Sequence, residues 1–175
     1  VSVSRRGEPS VEVLGLEARA KDGDHQSIRL WLRLLSATNL VKGEVQSRLR
    51  RTFGTTLARF DLLAQLERHP EGLAMGPLSR RMMVTAGNVT RLVDQLEAEG
   101  LVARVPDPGD RRAVRVRLTP EGRRKFSAMA TVHEGWIVEL FRGLSREERE
   151  QLYTLLGALK QSVARALSRE GGGAG

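Results

Sequence analysis

Between Val89 and Leu96 the apolar positions are Val89, Leu92, Val93 and Leu96, the i, i+3, i+4, i+7 spacing of a single buried helical stripe. At about 100° per residue the opposite face carries Gly87, Asn88, Arg91 and Gln95, with Thr90 and Asp94 on its flanks. Thr85 predicts the N-cap of this helix, Glu99 its end and Gly100 the stop. Just upstream, Leu78 to Met83 predicts a short helix with Pro77 at its first position, where a missing N–H costs nothing; Val84 and Thr85 make the connection. Downstream the period changes to two. Leu101 to Val105 and Ala113 to Leu118 alternate like half-buried strands, with Val114, Val116 and Leu118 on one face and Arg115 and Arg117 on the other. Pro106 to Arg112 is rich in turn formers and joins them. A short helix and a second helix with a small and amide-bearing outer face predict a helix-turn-helix that reads DNA, with a basic-tipped hairpin directly after it.

The flanks are helical in pattern. Val1 to Asp24 mixes Gly, Ser, Pro and charge and predicts a mobile arm. From His25 to Arg51 the residues Ile28, Leu30, Trp31, Leu32, Leu34, Leu35, Leu40, Val41, Val45 and Leu49 cover more than one helical face. Burial on two sides is therefore expected, with a second subunit as the economical source of the extra contacts. Phe53-Gly54 ends that helix, and Thr55 or Thr56 caps the next, Leu57 to Arg68, which stops at His69-Pro70. Leu73 is expected to add a short strand beside the hairpin. Thr119-Pro120 starts a helix to about Phe141, and Ser145-Arg146-Glu147-Glu148 is a capping box for a last helix bearing Leu152, Leu155, Leu156, Leu159, Val163 and Leu167. Glu170 to Gly175 should fray.

Charge sharpens this picture. The formal net charge is +8 over 175 residues. Arg104, Arg111, Arg112, Arg115, Arg117, Arg123, Arg124 and Lys125 outnumber Asp107, Asp110 and Glu121 along the hairpin and just after it, where a phosphate backbone would run. There is no cysteine, which excludes disulfides and thiol-based sensing. No apolar run approaches the roughly 18 residues of a membrane span, and no contiguous hydrophobic signal segment precedes His25, so a cytoplasmic protein without membrane partners is expected. Enzyme chemistry finds no support: His25, His69 and His133 are widely separated, and Ser36, Ser127 and Ser162 sit in no nucleophile motif. Neither a phosphate-cradling loop nor a dinucleotide fingerprint occurs, so no cofactor and no metal are expected.

In order and spacing, Asn88-Val89-Thr90-Arg91-Leu92-Val93-Asp94-Gln95-Leu96-Glu97, Gly100-Leu101-Val102-Ala103-Arg104, Asp107-Pro108-Gly109-Asp110-Arg111-Arg112-Ala113 and Leu118-Thr119-Pro120-Glu121-Gly122 resemble the MarR (multiple antibiotic resistance regulator) family of winged helix-turn-helix transcription factors. With the flanking helices the resemblance runs from about residue 26 to about residue 167. It implies a mainly α fold with a small β-hairpin wing, α+β in class. The division expected is an arm (1–24), a dimerisation helix (25–54), a winged DNA-binding domain (55–119), C-terminal dimerisation helices (120–168) and a disordered tail (169–175). The terminal helices of two subunits would pack together, and the homodimer would bind a double-stranded, pseudo-palindromic operator, most simply as a repressor.

Residue by residue, Gly87, Asn88, Thr90, Arg91 and Gln95 are the expected groove-facing set, since arginine can grip guanine and asparagine adenine through paired hydrogen bonds. Asp110 and Arg112 match the family's wing pattern, in which the aspartate holds the tip and the arginine enters the minor groove; Arg111 stands beside it as an alternative. Arg80, Arg81, Arg104, Arg115 and Arg117 are expected to position phosphates. Arg33, Ser36 and Asn39 are polar interruptions of an apolar helix that need a hydrogen bond across the dimer or to a ligand. With Trp31, Arg59 and Phe60 they could line an effector cleft of the kind the family uses, suited to an aromatic acid, a phenolate or an aryl-CoA thioester. Two other readings remain: a ligand-independent or architectural DNA binder, and a winged module that binds protein.

Overall fold

The structure, a computed structural model, describes residues 25–82, 86–110 and 113–171. The expected arm, the Thr85 cap, the arginines Arg111 and Arg112 and the last four residues lie outside the described residues. Among the described residues six helices and three strands follow in the order α1 (His25–Phe53), α2 (Leu57–Glu67), β1 (Leu73–Ala74), α3 (Met75–Met82), α4 (Ala86–Ala98), β2 (Val102–Pro106), β3 (Val114–Leu118), α5 (Pro120–Leu140) and α6 (Arg146–Gly171). The chain divides into two compact units, one ending at His133 and one beginning at Glu134.

Local chemistry explains most boundaries. Thr56 Oγ1 accepts from Arg59 N at 3.3 Å to start α2. Gly100 takes φ 70° after α4, and Leu101 N and Gly100 N donate to Leu96 O and Glu97 O at 2.9 Å each, a Schellman closure that satisfies two orphan carbonyls. The capping box of α6 forms in both directions: Glu148 N donates to Ser145 Oγ at 3.1 Å, and Ser145 N donates to Glu148 Oε2 at 2.7 Å. Two expectations need correction. Helix α3 begins at Met75, not Pro77, so the proline is its third residue, still within the turn whose N–H groups lack intrahelical partners. Helix α6 continues through Gly171 where a disordered tail was expected from 169, since Ala164 to Glu170 contains no breaker.

In the first unit one core joins every element. Val45 and Leu49 of α1, Phe60, Leu62, Leu63 and Leu66 of α2, Leu78 of α3 and the stripe Val89, Val93 and Leu96 of α4 are buried with Leu73, Leu101, Val102, Val116, Leu118, Phe126 and Met129. The sheet order is β1-β3-β2, all antiparallel, with Leu73 opposite Val116 and Arg104 opposite Val116 from the other side. The expected short strand at Leu73 thus pairs with the hairpin. Val116 and Leu118 share the buried face; Val114, at the open end of the same face, is 43% exposed because no core lies beneath it.

Among the described residues nothing buries the first turns of α1 on two sides, where a second subunit was the expected source of contacts. Only its last turns are buried, while Ile28, Leu30, Trp31, Leu35 and Leu40 are exposed, Trp31 by 57%. In the second unit, Ile137, Val138, Phe141, Leu152, Tyr153 and Leu156 line an open apolar cleft of about 350 Å³ between α5 and α6. Leu155, Val163 and Leu167 of α6 are also exposed. Among the described residues no helix is long and apolar enough to cross a membrane.

Candidate nucleic-acid interface

Burying Val89, Val93 and Leu96 leaves the opposite side of α4 to solvent. Gly87, Asn88, Thr90, Arg91, Asp94 and Gln95 are all exposed, as the periodicity predicts. Arg80 and Arg81, in the last turn of α3 immediately before α4, are exposed too. The hairpin stands beside α4 in sequence and in contact with it through β2. Arg117 projects from β3 and is exposed; with Arg123 and Arg124 it lines an open groove of about 990 Å³ beside the start of α5. Arg123 pairs with Glu67 at 2.8 Å and Arg124 with Glu121.

Two of the arginines expected to meet phosphate are engaged within the chain. Arg104 donates through Nη2 to Asp94 Oδ1 at 2.5 Å and through Nη1 to Glu97 Oε2, while its backbone N–H donates to Glu97 Oε1 at 3.0 Å. Arg115 donates from Nε to Asp107 Oδ2 at 2.5 Å and reaches Gly72 O at 3.4 Å. Asp107 Oδ1 also accepts from Gly109 N at 2.8 Å, so one carboxylate ties the hairpin tip to β3. The bond from Arg115, then that from Gly109 N, hold the Asp107 carboxyl below the usual carboxylate range. Asp110 closes the turn through its carbonyl, which accepts from Ala113 N at 2.9 Å. Sequence patterning did not single out Asp107, Asp94 or Glu97 as organising residues. The i, i+3 spacing of Asp94 and Glu97 put both acids on one helical face and was the available signal.

The residues expected to line an effector cleft are not brought together by one chain. Trp31 lies about 22 Å along α1 from Gln46, where the side-chain amide accepts from Leu57 N and α1 meets α2. Arg33 and Asn39 are exposed. Phe60 is a core ring, not a cleft wall: its centroid lies 5.4 Å from Phe126 and 4.7 Å from the His133 ring. Arg59 bonds Glu99, just past the end of α4, and its buried Nε has no hydrogen-bond partner among the described residues. Burial holds His133 below its ordinary 6.5, with Asp61 opposing. Among the described residues no cluster of side chains could hold a metal ion.

Comparison with known proteins places these features in company. A family model described as MarR family matches residues 53–113. An uncharacterized HTH-type transcriptional regulator of Bacillus subtilis, YkoM, is 37% identical over 79 residues, 45% of this chain and 51% of the relative. The chain thus spans about half the length of that curated relative. The crystal structure of a MarR family transcriptional regulator from Silicibacter pomeroyi superposes with a TM-score of 0.69 at 33% identity, covering 81% of this chain and 99% of that one. A mutant MarR from E. coli complexed with operator DNA superposes at 0.68 with 25% identity, covering 79% and 99%.

Proposed function

Because this chain belongs to the MarR family of transcriptional regulators, we propose that it binds a specific double-stranded operator as a homodimer and acts as a ligand-responsive repressor. The observation that carries the DNA reading is the outer face of α4, on which Gly87, Asn88, Thr90, Arg91 and Gln95 are exposed beside a basic hairpin. Small residues at Gly87 and Thr90 let the helix approach a groove floor, and Asn88, Arg91 and Gln95 carry the donors and acceptors that base edges present. Arg80, Arg81 and Arg117 supply phosphate contacts, Asp110 holds the wing tip, and Arg112 or its neighbour Arg111 enters the minor groove.

Homodimerisation is supported by the apolar residues that one chain leaves uncovered at both ends, Trp31, Leu35 and Leu40 on α1 and Leu155, Leu156 and Leu167 on α6. A second copy of the chain would cover each set by a symmetric contact. An aromatic acid or aryl-CoA effector would then bind where Trp31 and the polar residues Arg33, Ser36 and Asn39 meet a second copy, releasing DNA if it favours the arrangement whose reading helices miss the groove spacing.

The test is selection of DNA from a random pool by the purified protein. A palindromic consensus with half-site centres about 10 bp apart is expected. Enrichment without a consensus favours the architectural reading, and no enrichment favours a protein-binding wing.

A further inference from the structure

Helix α4 presents two acids, Asp94 and Glu97, on a helix assigned here to polyanionic DNA. Unpaired, they would weaken binding by like-charge repulsion. Both are occupied by one residue, Arg104 of β2. Strand β2 is an edge strand, since the sheet order is β1-β3-β2. In its ladder with β3, Thr119 N donates to Leu101 O and Asp107 N to Ala113 O, which makes 101/119 and 107/113 hydrogen-bonded pairs. Alternation then places the pair Arg104/Val116 in a non-hydrogen-bonded position, so the Arg104 N–H points away from β3. That outward N–H, an edge group otherwise left to solvent, is what Glu97 Oε1 accepts at 3.0 Å. Glu97 therefore holds Arg104 by main chain and side chain together, and Asp94, one turn earlier on the same face, holds the other guanidinium nitrogen.

We propose that Arg104 is a positioning residue: clamped by Asp94 and Glu97, it fixes the wing strand to the reading helix, so that two acids raise the affinity for operator DNA although they carry DNA's own sign of charge. The proposal rests on the DNA-binding function stated above. A helix and a wing that must enter adjacent grooves together lose affinity when the angle between them wanders, because ordering them then falls to the binding step. A carboxylate without such a role does the opposite; its removal strengthens binding to any DNA.

The experiment compares Glu97→Gln, Arg104→Gln, Arg104→Lys and wild type on the selected operator and on a scrambled duplex, across a salt series. The brace predicts that Glu97→Gln loses about fivefold on the operator and nothing on the scrambled duplex. Arg104→Gln should lose a similar factor with an unchanged salt slope, whereas a phosphate contact would lower that slope by about one. Arg104→Lys should fail to rescue, since an ammonium cannot fork to two carboxylates. Tighter binding of Glu97→Gln to both duplexes, or rescue by lysine with a restored slope, overturns the proposal. The tie itself is measured without DNA, as hydrogen exchange at the Arg104 amide: slow in wild type and accelerated in Glu97→Gln. Fast exchange in wild type overturns the brace whatever the DNA result, and a wild type that does not prefer operator over scrambled duplex overturns the proposed function while leaving the brace to the exchange measurement.

Discussion

Gly122, in the first turn of α5, is buried against the residue that links α4 to the wing. A Cβ there would lie 1.8 Å from Leu101 O and 2.8 Å from its carbonyl carbon, both backbone atoms that cannot swing aside. Carbon and oxygen approach to about 3.3 Å at closest, so Gly122→Ala requires α5 to retreat by about 1.5 Å. The retreat breaks what anchors the helix start: Thr119 N donates to Leu101 O at 3.1 Å, and Thr119 Oγ1 donates to Gly100 O at 2.7 Å. Each such bond is worth about 1 kcal/mol, overpacking adds about 1–3 kcal/mol, and the helix preference of alanine returns at most about 1 kcal/mol. The clash therefore wins, and a net loss of about 2–4 kcal/mol is expected. Urea unfolding followed by circular dichroism, with both proteins at one concentration because association would add stability, should show a lower midpoint at unchanged slope. If Gly122→Ala is as stable as wild type or more so, the close approach of α5 to Leu101 is wrong.

Other consequences follow from the same contacts. Arg117→Ala should weaken binding alike to operator and scrambled DNA and lower the salt slope by about one, read by titration across salt concentrations. Asn88→Ala should relax base preference at one position of each half-site, and an unchanged selected consensus would remove Asn88 from base reading. Leu156→Glu should lower the sedimentation mass from dimer to monomer and weaken operator binding; a dimer of undiminished stability would move the interface elsewhere. Because burial depresses the His133 pKa, neutral His133 stabilises the fold fully above the unfolded value of 6.5, and that contribution is lost as pH falls through the lower folded value. His133→Phe, which keeps a ring against Phe60, should flatten the fall in stability as pH drops below about 6.5 relative to wild type.

The fold was legible where periodicity and a capping residue agreed. The stripe Val89, Leu92, Val93 and Leu96, the Gly100 stop and the Ser145 capping box each rest on chemistry contained within a few residues, and each appears as expected except that Leu92 is only half-buried. Helix α1 is legible in a different way, since the covering expected for it came from a second subunit. Its two-sided apolar pattern reports surfaces that want covering and cannot say whether the same chain does the covering; Ile28, Leu30 and Trp31 stay exposed. The place of Phe60 was hidden similarly, because a phenylalanine looks the same in sequence whether it lines a pocket or packs against Phe126.

Charge was the least legible layer. An arginine on a hairpin strand suggests phosphate, yet Arg104 and Arg115 are held by Asp94, Glu97 and Asp107, partners set by the packing of β2 on α4 and by the turn geometry of the tip. Counting basic residues along the hairpin therefore overstates what it offers to a polyanion, since two of the arginines meet carboxylates of their own chain. Arg59 bonding Glu99 extends the same logic to the end of α4. The acids of α4 from Asp94 onward are thus all occupied by arginines from neighbouring elements. The cation on its outer face, Arg91, comes before them in the chain and is exposed, so the N-terminal half of the helix is where its charge favours DNA. A reading helix that enters the groove by its N-terminal residues, with its acids turned to bracing, needs that order of charges along its length, and reversing it by exchanging Arg91 with Asp94 should abolish operator binding while leaving α4 helical by circular dichroism.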